Sequence, residues 1–193
     1  MAGRHEAYAG GESFVTEVFT RRMSRWQAEQ QREDVADVYV EAYHGPAGQE
    51  FSQRQDFLRR FADDMRRPGF DMVVASERRM TGAAYGFRLD RADGWWREFT
   101  GGALRQLEEL TASGQVFALA GLMVLPAYRR QGIATRLMNQ LLLRSDAALA
   151  TALVDPASED SAPAATTLAA WGWSRIGELG AGEREVWSRS LPR

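Results

Sequence analysis

Between an apolar stretch ending at Leu125 and a helical pattern beginning at Ile133, the chain reads Pro126-Ala127-Tyr128-Arg129-Arg130-Gln131-Gly132. A strand stopped by proline and followed by a glycine-bearing basic turn that opens a helix has a definite chemistry. The first N–H groups of a helix find no carbonyl within it, and the aligned peptide dipoles leave partial positive charge at that end. An anion answers both, so the turn is suited to phosphate, and to a diphosphate in particular. Gly132 lets the anion approach the backbone, Arg129 and Arg130 add fixed charge, Thr135 offers a hydroxyl, and small Ala134 keeps the first helical turn open. Local chemistry alone also permits an ordinary basic turn into a helix.

Competing nucleotide motifs fail on residue type. A P-loop needs Gly-Lys-Ser/Thr, and all 24 basic residues here are arginine; Gly180-x-Gly182 precedes an expected strand instead of opening a helix. Without lysine, no side-chain amine can be self-acylated, which leaves only the N-terminus. Cysteine is absent, which excludes disulfides, thiolate catalysis and cysteine-ligated zinc, and His5 and His44 lie too far apart in sequence to suggest a metal cluster. A net charge of -2, with both signs scattered, offers no basic stretch to follow a nucleic acid. The N-terminus lacks an apolar core, and the longest apolar run, near Phe117 to Leu125, is too short to span a bilayer, so a cytoplasmic protein without membrane or nucleic-acid partners is expected. The 193 residues suit a single domain over 1–193, with 1–12 a flexible or loosely packed segment.

The elements that must hold the turn follow from periodicity. Ser13 to Thr20 reads as a strand and Ser24 to Tyr43 as a helix with Trp26, Val35, Val38, Tyr39 and Ala42 on a buried stripe. A second helix is predicted from an N-cap at Ser52, with Gln55 three residues on, to Pro68-Gly69, burying Phe57, Phe61 and Met65. Phe70 to Ser76 and Met80 to Leu89 form an expected hairpin, with Gly82 and Gly86 marking bulges or close backbone approach. After a loop carrying Trp95-Trp96 come a helix over Ala103 to Ala112, an apolar strand over Gln115 to Leu125 and a helix from Gly132 to Ser145. A strand over Ala148 to Val154, a helix over Ser161 to Trp171 and strands over Trp173 to Glu178 and Glu185 to Ser190 complete the series. This order predicts a mixed α/β sheet with right-handed central crossovers.

Val124-x-Pro126-x-x-Arg129-x-x-Gly132-x-Ala134-x-x-Leu137 closely resembles the acyl-CoA-binding motif of the GNAT family of N-acetyltransferases. Ala164-x-x-x-Leu168-x-x-Trp171-Gly172-Trp173-x-x-Ile176-Gly177 is similar to the family's late helix and following strand. The resemblance covers nearly the whole chain. It implies a largely antiparallel mixed sheet with a splayed central parallel pair and helices on both faces. It further implies that the amides of Arg130, Gln131, Gly132, Ile133, Ala134 and Thr135 bind the CoA pyrophosphate. The strand edge at Leu122, Met123 and Val124 would pair with the pantetheine arm. Ser161 stands where many relatives begin the late helix with asparagine, and its hydroxyl can still cap that helix.

The implied activity is transfer of an acetyl group from acetyl-CoA to a primary amine of a small molecule or peptide, directly and in a ternary complex. The chain departs from the family twice: Leu168 occupies the position of the proton-donating tyrosine, and Phe117 to Leu125 carries no ionisable side chain where a glutamate is common. Substitutes could come from His44, Tyr43, Glu41 or Tyr85, and a strand N–H at Leu122 or Met123 could polarise the thioester carbonyl. Phe87, Trp95 and Trp96 could wall an acceptor pocket or serve as core. The departures keep open a catalytically silent acyl-CoA-binding protein, or a different acyl-CoA reaction. Trp187 on the last strand is compatible with a homodimer, which the sequence does not decide.

Overall fold

Met72, Val73, Val74 and Ala75 are all fully buried, which requires β2 (Asp71–Ser76) to be covered on both faces. Alternation sends Met72 and Val74 into a core shared with Val35, Phe57 and Phe61, and Val73 and Ala75 into one shared with Ile133, Leu137 and Leu141. The computed structural model describes residues 17–43, 48–93, 95–102, 104–158 and 160–192. On one face lie α1 (Arg25–Gln30), α2 (Arg32–Ala42) and α3 (Glu50–Met65); on the other lies α5 (Ile133–Leu143). The remaining helices are α4 (Leu104–Ala112) and α6 (Ser161–Ala170).

One eight-stranded sheet runs in the order β1-β2-β3-β5-β6-β8-β7-β4. The strands are β1 (Phe19–Met23), β3 (Met80–Arg88), β4 (Phe99–Thr100), β5 (Val116–Val124), β6 (Leu149–Val154), β7 (Ser174–Leu179), β8 (Arg184–Ser190) and β2. Every neighbouring pair is antiparallel except β5 and β6, the expected mixed sheet with one parallel pair at its centre.

That pair holds together only from Val116–Leu149 to Leu119–Ala152. Beyond it β5 follows β3 to Val124 and β6 follows β8 to Val154, so the strands part. The register explains where: Tyr85 faces Gly121 and Gly86 faces Leu119, leaving Ala120 as the extra residue of a bulge, which bends and twists its strand. Gly86 permits it, because a Cβ there would fall well inside 3.0 Å of the Ala118 carbonyl and the Phe117 ring. Gly82 approaches the Met123 carbonyl in the same manner, 2.9 Å from an added Cβ.

Several expected elements are corrected. The first helix is two, broken at Gln31 (φ -108, ψ 17), and the change of phase leaves Trp26 71% exposed while Ala28 becomes the buried residue of α1. Ser24 does close a capping box with Gln27. Ser52 is not an N-cap: α3 starts at Glu50, and the Ser52 hydroxyl donates back to the Gln49 carbonyl at 2.9 Å, a bond available to serine inside a first turn. The first strand begins at Phe19, later than predicted; residues 1–16, and with them the predicted N-terminal segment, lie outside the described residues. Phe99–Thr100 was expected as loop and pairs with β7 as an edge strand.

Candidate active site

The turn after β5 is built around two residues of left-handed conformation, Arg130 (φ 62) and Gly132 (φ 74). Changes of backbone hand turn successive N–H groups toward one concavity, an arrangement suited to anions. Arg136 is the first residue of α5 whose N–H bonds back to the turn, to the Gly132 carbonyl at 3.0 Å; among the described residues none accepts from the N–H groups of 130–135. The turn is also pinned from outside. The Tyr128 hydroxyl donates to the Glu77 carboxylate at 2.7 Å, which raises the phenol pKa.

Arg129 lines the turn and also ties two elements together. Its guanidinium donates to the carbonyls of Val124 (3.2 Å) and Ala42 (2.6 Å), tying the end of β5 to the end of α2. Arg130 makes no ion pair or side-chain hydrogen bond among the described residues and remains available to a ligand. Gln131 donates to the Ala127 carbonyl at 3.2 Å, and Ile133 buries its side chain in the core, leaving its N–H as its contribution. The Thr135 hydroxyl accepts from the Trp171 indole at 3.2 Å and so joins α5 to α6. Ser161 does not cap α6 as expected: Asp160 holds the cap position, and the Ser161 hydroxyl donates to the Pro156 carbonyl at 3.4 Å.

Two clefts open where β5 and β6 separate. The first, of about 530 Å³, is walled by the turn from Tyr128 to Thr135, by Leu119 to Val124 of β5, by Ala152 to Val154 of β6, by Ala164, Thr167 and Leu168 of α6 and by Trp171 at its end. The second, of about 1040 Å³, lies toward α2 and α3 and is lined by Tyr39, Tyr43, Arg60, Asp64, Tyr85, Asp155 and Asp160 among others. Tyr43, Ala120, Gly121, Met123, Arg129 and Leu153 line both, so the clefts meet at the gap. The Met123 carbonyl points to Gly82 on β3, and alternation therefore turns the backbone groups of Leu122 and Val124 to the gap. There the Tyr43 hydroxyl donates to the Leu122 carbonyl at 2.5 Å.

The model of the acetyltransferase (GNAT) family matches residues 32–161, from α2 through the turn to the start of α6. The chain belongs to this family. Among solved structures, a GNAT-family protein from Desulfovibrio desulfuricans is 15% identical and superposes with a TM-score of 0.64, covering 91% of this chain and 100% of that one. An aminoglycoside 6'-acetyltransferase type Ii is 14% identical with a TM-score of 0.60, over 91% and 99% of the two chains. An acetyltransferase from Thermus thermophilus is 11% identical with a TM-score of 0.57, over 90% and 97%. These likenesses are of fold. No curated protein matches the sequence.

As a GNAT acetyltransferase, the chain places the other candidates unevenly. Leu168, at the usual tyrosine position, is 6% exposed and walls the turn-side cleft. Tyr43 stands across the gap from it, at the end of α2, with burial and the Asp160 charge pushing its phenol up to about 12, so it is protonated at neutral pH. Tyr85 reaches the second cleft from β3, its ring packed against Gly121. Glu41 lines neither cleft and is paired with Arg79 through both oxygens, at 3.0 and 3.1 Å. Phe87 also lines neither and carries the Arg67 guanidinium 4.6 Å over its ring. His44 lies outside the described residues; Trp95 and Trp96 belong to a short 3-10 helix, Trp95–Glu98, before β4. Among the described residues no cluster of acidic or histidine side chains could hold a metal, and no helix is long and apolar enough to cross a membrane.

Asp64 escaped the sequence reading. It lies on α3 three residues after Phe61 and seven after Phe57, so it shares their side of the helix. Burial raises its carboxyl to about 6 against the opposing pull of Arg67 and Arg60. A carboxylate beside an apolar stripe was the available signal.

Proposed function

We propose that the protein moves an acetyl group from acetyl-CoA to a primary amine of a small-molecule or peptide acceptor, in a ternary complex and within the cytoplasm, with 1–193 acting as one domain. The observation that carries this reading is the meeting of two clefts at the β5–β6 gap, one beneath a turn whose N–H groups find no acceptor among the described residues. The amides of 130–135 with the Arg130 side chain would hold the pyrophosphate of CoA, and the β5 edge at Leu122 and Val124 its pantetheine amides. The Leu122 N–H, turned to the gap, would polarise the thioester carbonyl. The acceptor would enter through the second cleft. Positioning of two substrates supplies much of the rate in such a site.

Tyr43 is the group that would hand a proton to the departing thiolate in place of the missing tyrosine on α6. Tyr43→Phe is then expected to lower kcat by about 10²-fold and to leave the KM for acetyl-CoA near its starting value. An unchanged kcat removes Tyr43 from the mechanism.

Thiol release from acetyl-CoA against a panel of small amines, aminoglycosides and peptides tests the whole reading. Aminoglycosides enter the panel because a structural neighbour is named for them. Leu168 and the absence of ionisable side chains on β5 favour a second reading, an acyl-CoA-binding protein without turnover. CoA binding with no thiol release selects it.

A further inference from the structure

We propose that Asp64 is the base that takes the proton from the acceptor's ammonium group in the second cleft, with the Tyr85 hydroxyl holding the amine beside it. This rests on the acetyl-transfer reading above. An amine acceptor arrives at neutral pH as R–NH3⁺ and has no lone pair to attack with. The family's usual answer, a carboxylate on the central strand, is missing from β5. Asp64 supplies a carboxylate from α3, on the opposite wall of the same cleft.

Three features single it out. The Asp64 side chain makes no hydrogen bond or ion pair among the described residues, so its carboxylate oxygens are free for a ligand. The arginines that could neutralise it are engaged elsewhere: Arg60 donates to the Tyr39 hydroxyl at 3.2 Å, and Arg67 is paired with Asp93. Tyr85 is only 4% exposed, its hydroxyl has no hydrogen-bond partner among the described residues, and it lines the cleft. Its ring is pressed against Gly121, one residue beyond the bulge at Ala120, which sets the phenol at the mouth of the gap. Burial and the nearby Asp64 charge raise the Tyr85 pKa, so the hydroxyl is a neutral donor and acceptor.

The proton balance is complete without further reactants. R–NH3⁺ gives one proton to the Asp64 carboxylate and becomes R–NH2. The nitrogen lone pair forms the N–C bond to the acetyl carbon, the C–S bond breaks and its electron pair stays on sulfur. A second proton leaves nitrogen for the thiolate through the Tyr43 hydroxyl, yielding the amide and CoA thiol. Asp64 then returns its proton to solvent. The charged and titratable groups around Asp64 are Arg60 and Asp63 on its own helix, Arg67 just past its end, Tyr39 on α2 and Tyr43 at the end of α2, Tyr85 on β3, and Arg129, Asp155 and Asp160 across the cleft. A base must be ionised, so activity should rise as pH passes through about 6. Because the folded carboxyl binds its proton more tightly than the unfolded one, ionisation weakens folding between about pH 4 and about pH 6. Asp64→Asn removes that cost and should melt no lower than the parent at pH 8.

The test compares two probe acceptors: benzylamine, an ammonium ion at neutral pH, and hydroxylamine, already neutral there. Asp64→Asn is expected to lower kcat/KM for benzylamine by about 10²-fold and to abolish the limb near pH 6. Hydroxylamine turnover and CoA affinity should change little, and Asp64→Glu should restore part of the benzylamine rate. Tyr85→Phe should raise KM for benzylamine without moving the limb. Equal losses on both probes, or an intact limb in Asp64→Asn, overturn the base. Absence of thiol release by the unaltered protein with every amine, while CoA still binds, overturns acetyl transfer and takes the base with it.

Discussion

Gly86→Val is expected to destabilise the protein by about 3 kcal/mol or more and to abolish acetyl transfer, as read by urea unfolding and thiol release. The side chain has nowhere to go. Even a Cβ at Gly86 would fall against the Ala118 carbonyl, which is backbone in the neighbouring strand, and against the Phe117 ring beneath it. Neither can move aside alone, since Ala118 is also paired with Thr151 of β6 and Phe117 is buried in the core. Relief requires β3 and β5 to separate at the position where the register slips by one residue. The bulge at Ala120 and the parting of β5 from β6 would be lost with that register, and the gap where both clefts meet would close. Gly102→Ala is the control, because a Cβ there meets nothing within 4 Å and should change stability by less than about 0.5 kcal/mol. Equal stability of Gly86→Val and the parent would show that the bulge does not depend on this close approach.

The same register explains how far sequence reasoning could reach. The turn from Pro126 to Gly132 is local: proline, left-handed glycine and an amphipathic helix beginning at Ile133 are neighbours in the chain, and each constrains the next. Gly82 and Gly86 were readable as close approaches because glycine inside a strand is otherwise unfavourable. What approached them was not readable, since Met123 and Ala118 are brought there by pairing across some 30 to 40 residues of chain. Arg129 shows the same limit. Its position beside the turn suggested a ligand for phosphate, while its bond to the Ala42 carbonyl, 87 residues away, had no local signal. The break at Gln31 escaped because nothing in Gln30-Gln31-Arg32 forbids a helix, and only packing of α1 and α2 against α3 sets their different phases. β4 is two residues long and exists because β7 offers an edge. Asp64 was passed over for a different reason: charged positions on a helix normally face water, and its cleft is completed by α2, β3, β5 and β6, all distant in sequence.

Gly132→Glu is expected to weaken CoA binding by about 10²-fold or more, measured by calorimetric titration, while the protein remains folded. Two effects act together. Gly132 sits at φ 74, where a side chain costs about 1–2 kcal/mol, so a residue with a Cβ draws the turn away from the conformation that presents its N–H groups to the ligand. An added Cβ meets nothing within 4 Å, so there is no steric penalty to unfold the turn, and the new carboxylate is free to occupy the space above the N–H groups of 130–135. It would satisfy the helix end itself and repel a diphosphate at short range. Gly132→Ala separates the contributions, because it carries the conformational cost without the charge. Its loss of affinity should be the smaller by at least about tenfold, and raising ionic strength should narrow the difference between the two variants. Equal CoA affinity in Gly132→Glu and the parent would place the pyrophosphate elsewhere. The turn would then be a helix start pinned by Tyr128 and Arg129, and the second cleft would have no acetyl donor at its mouth.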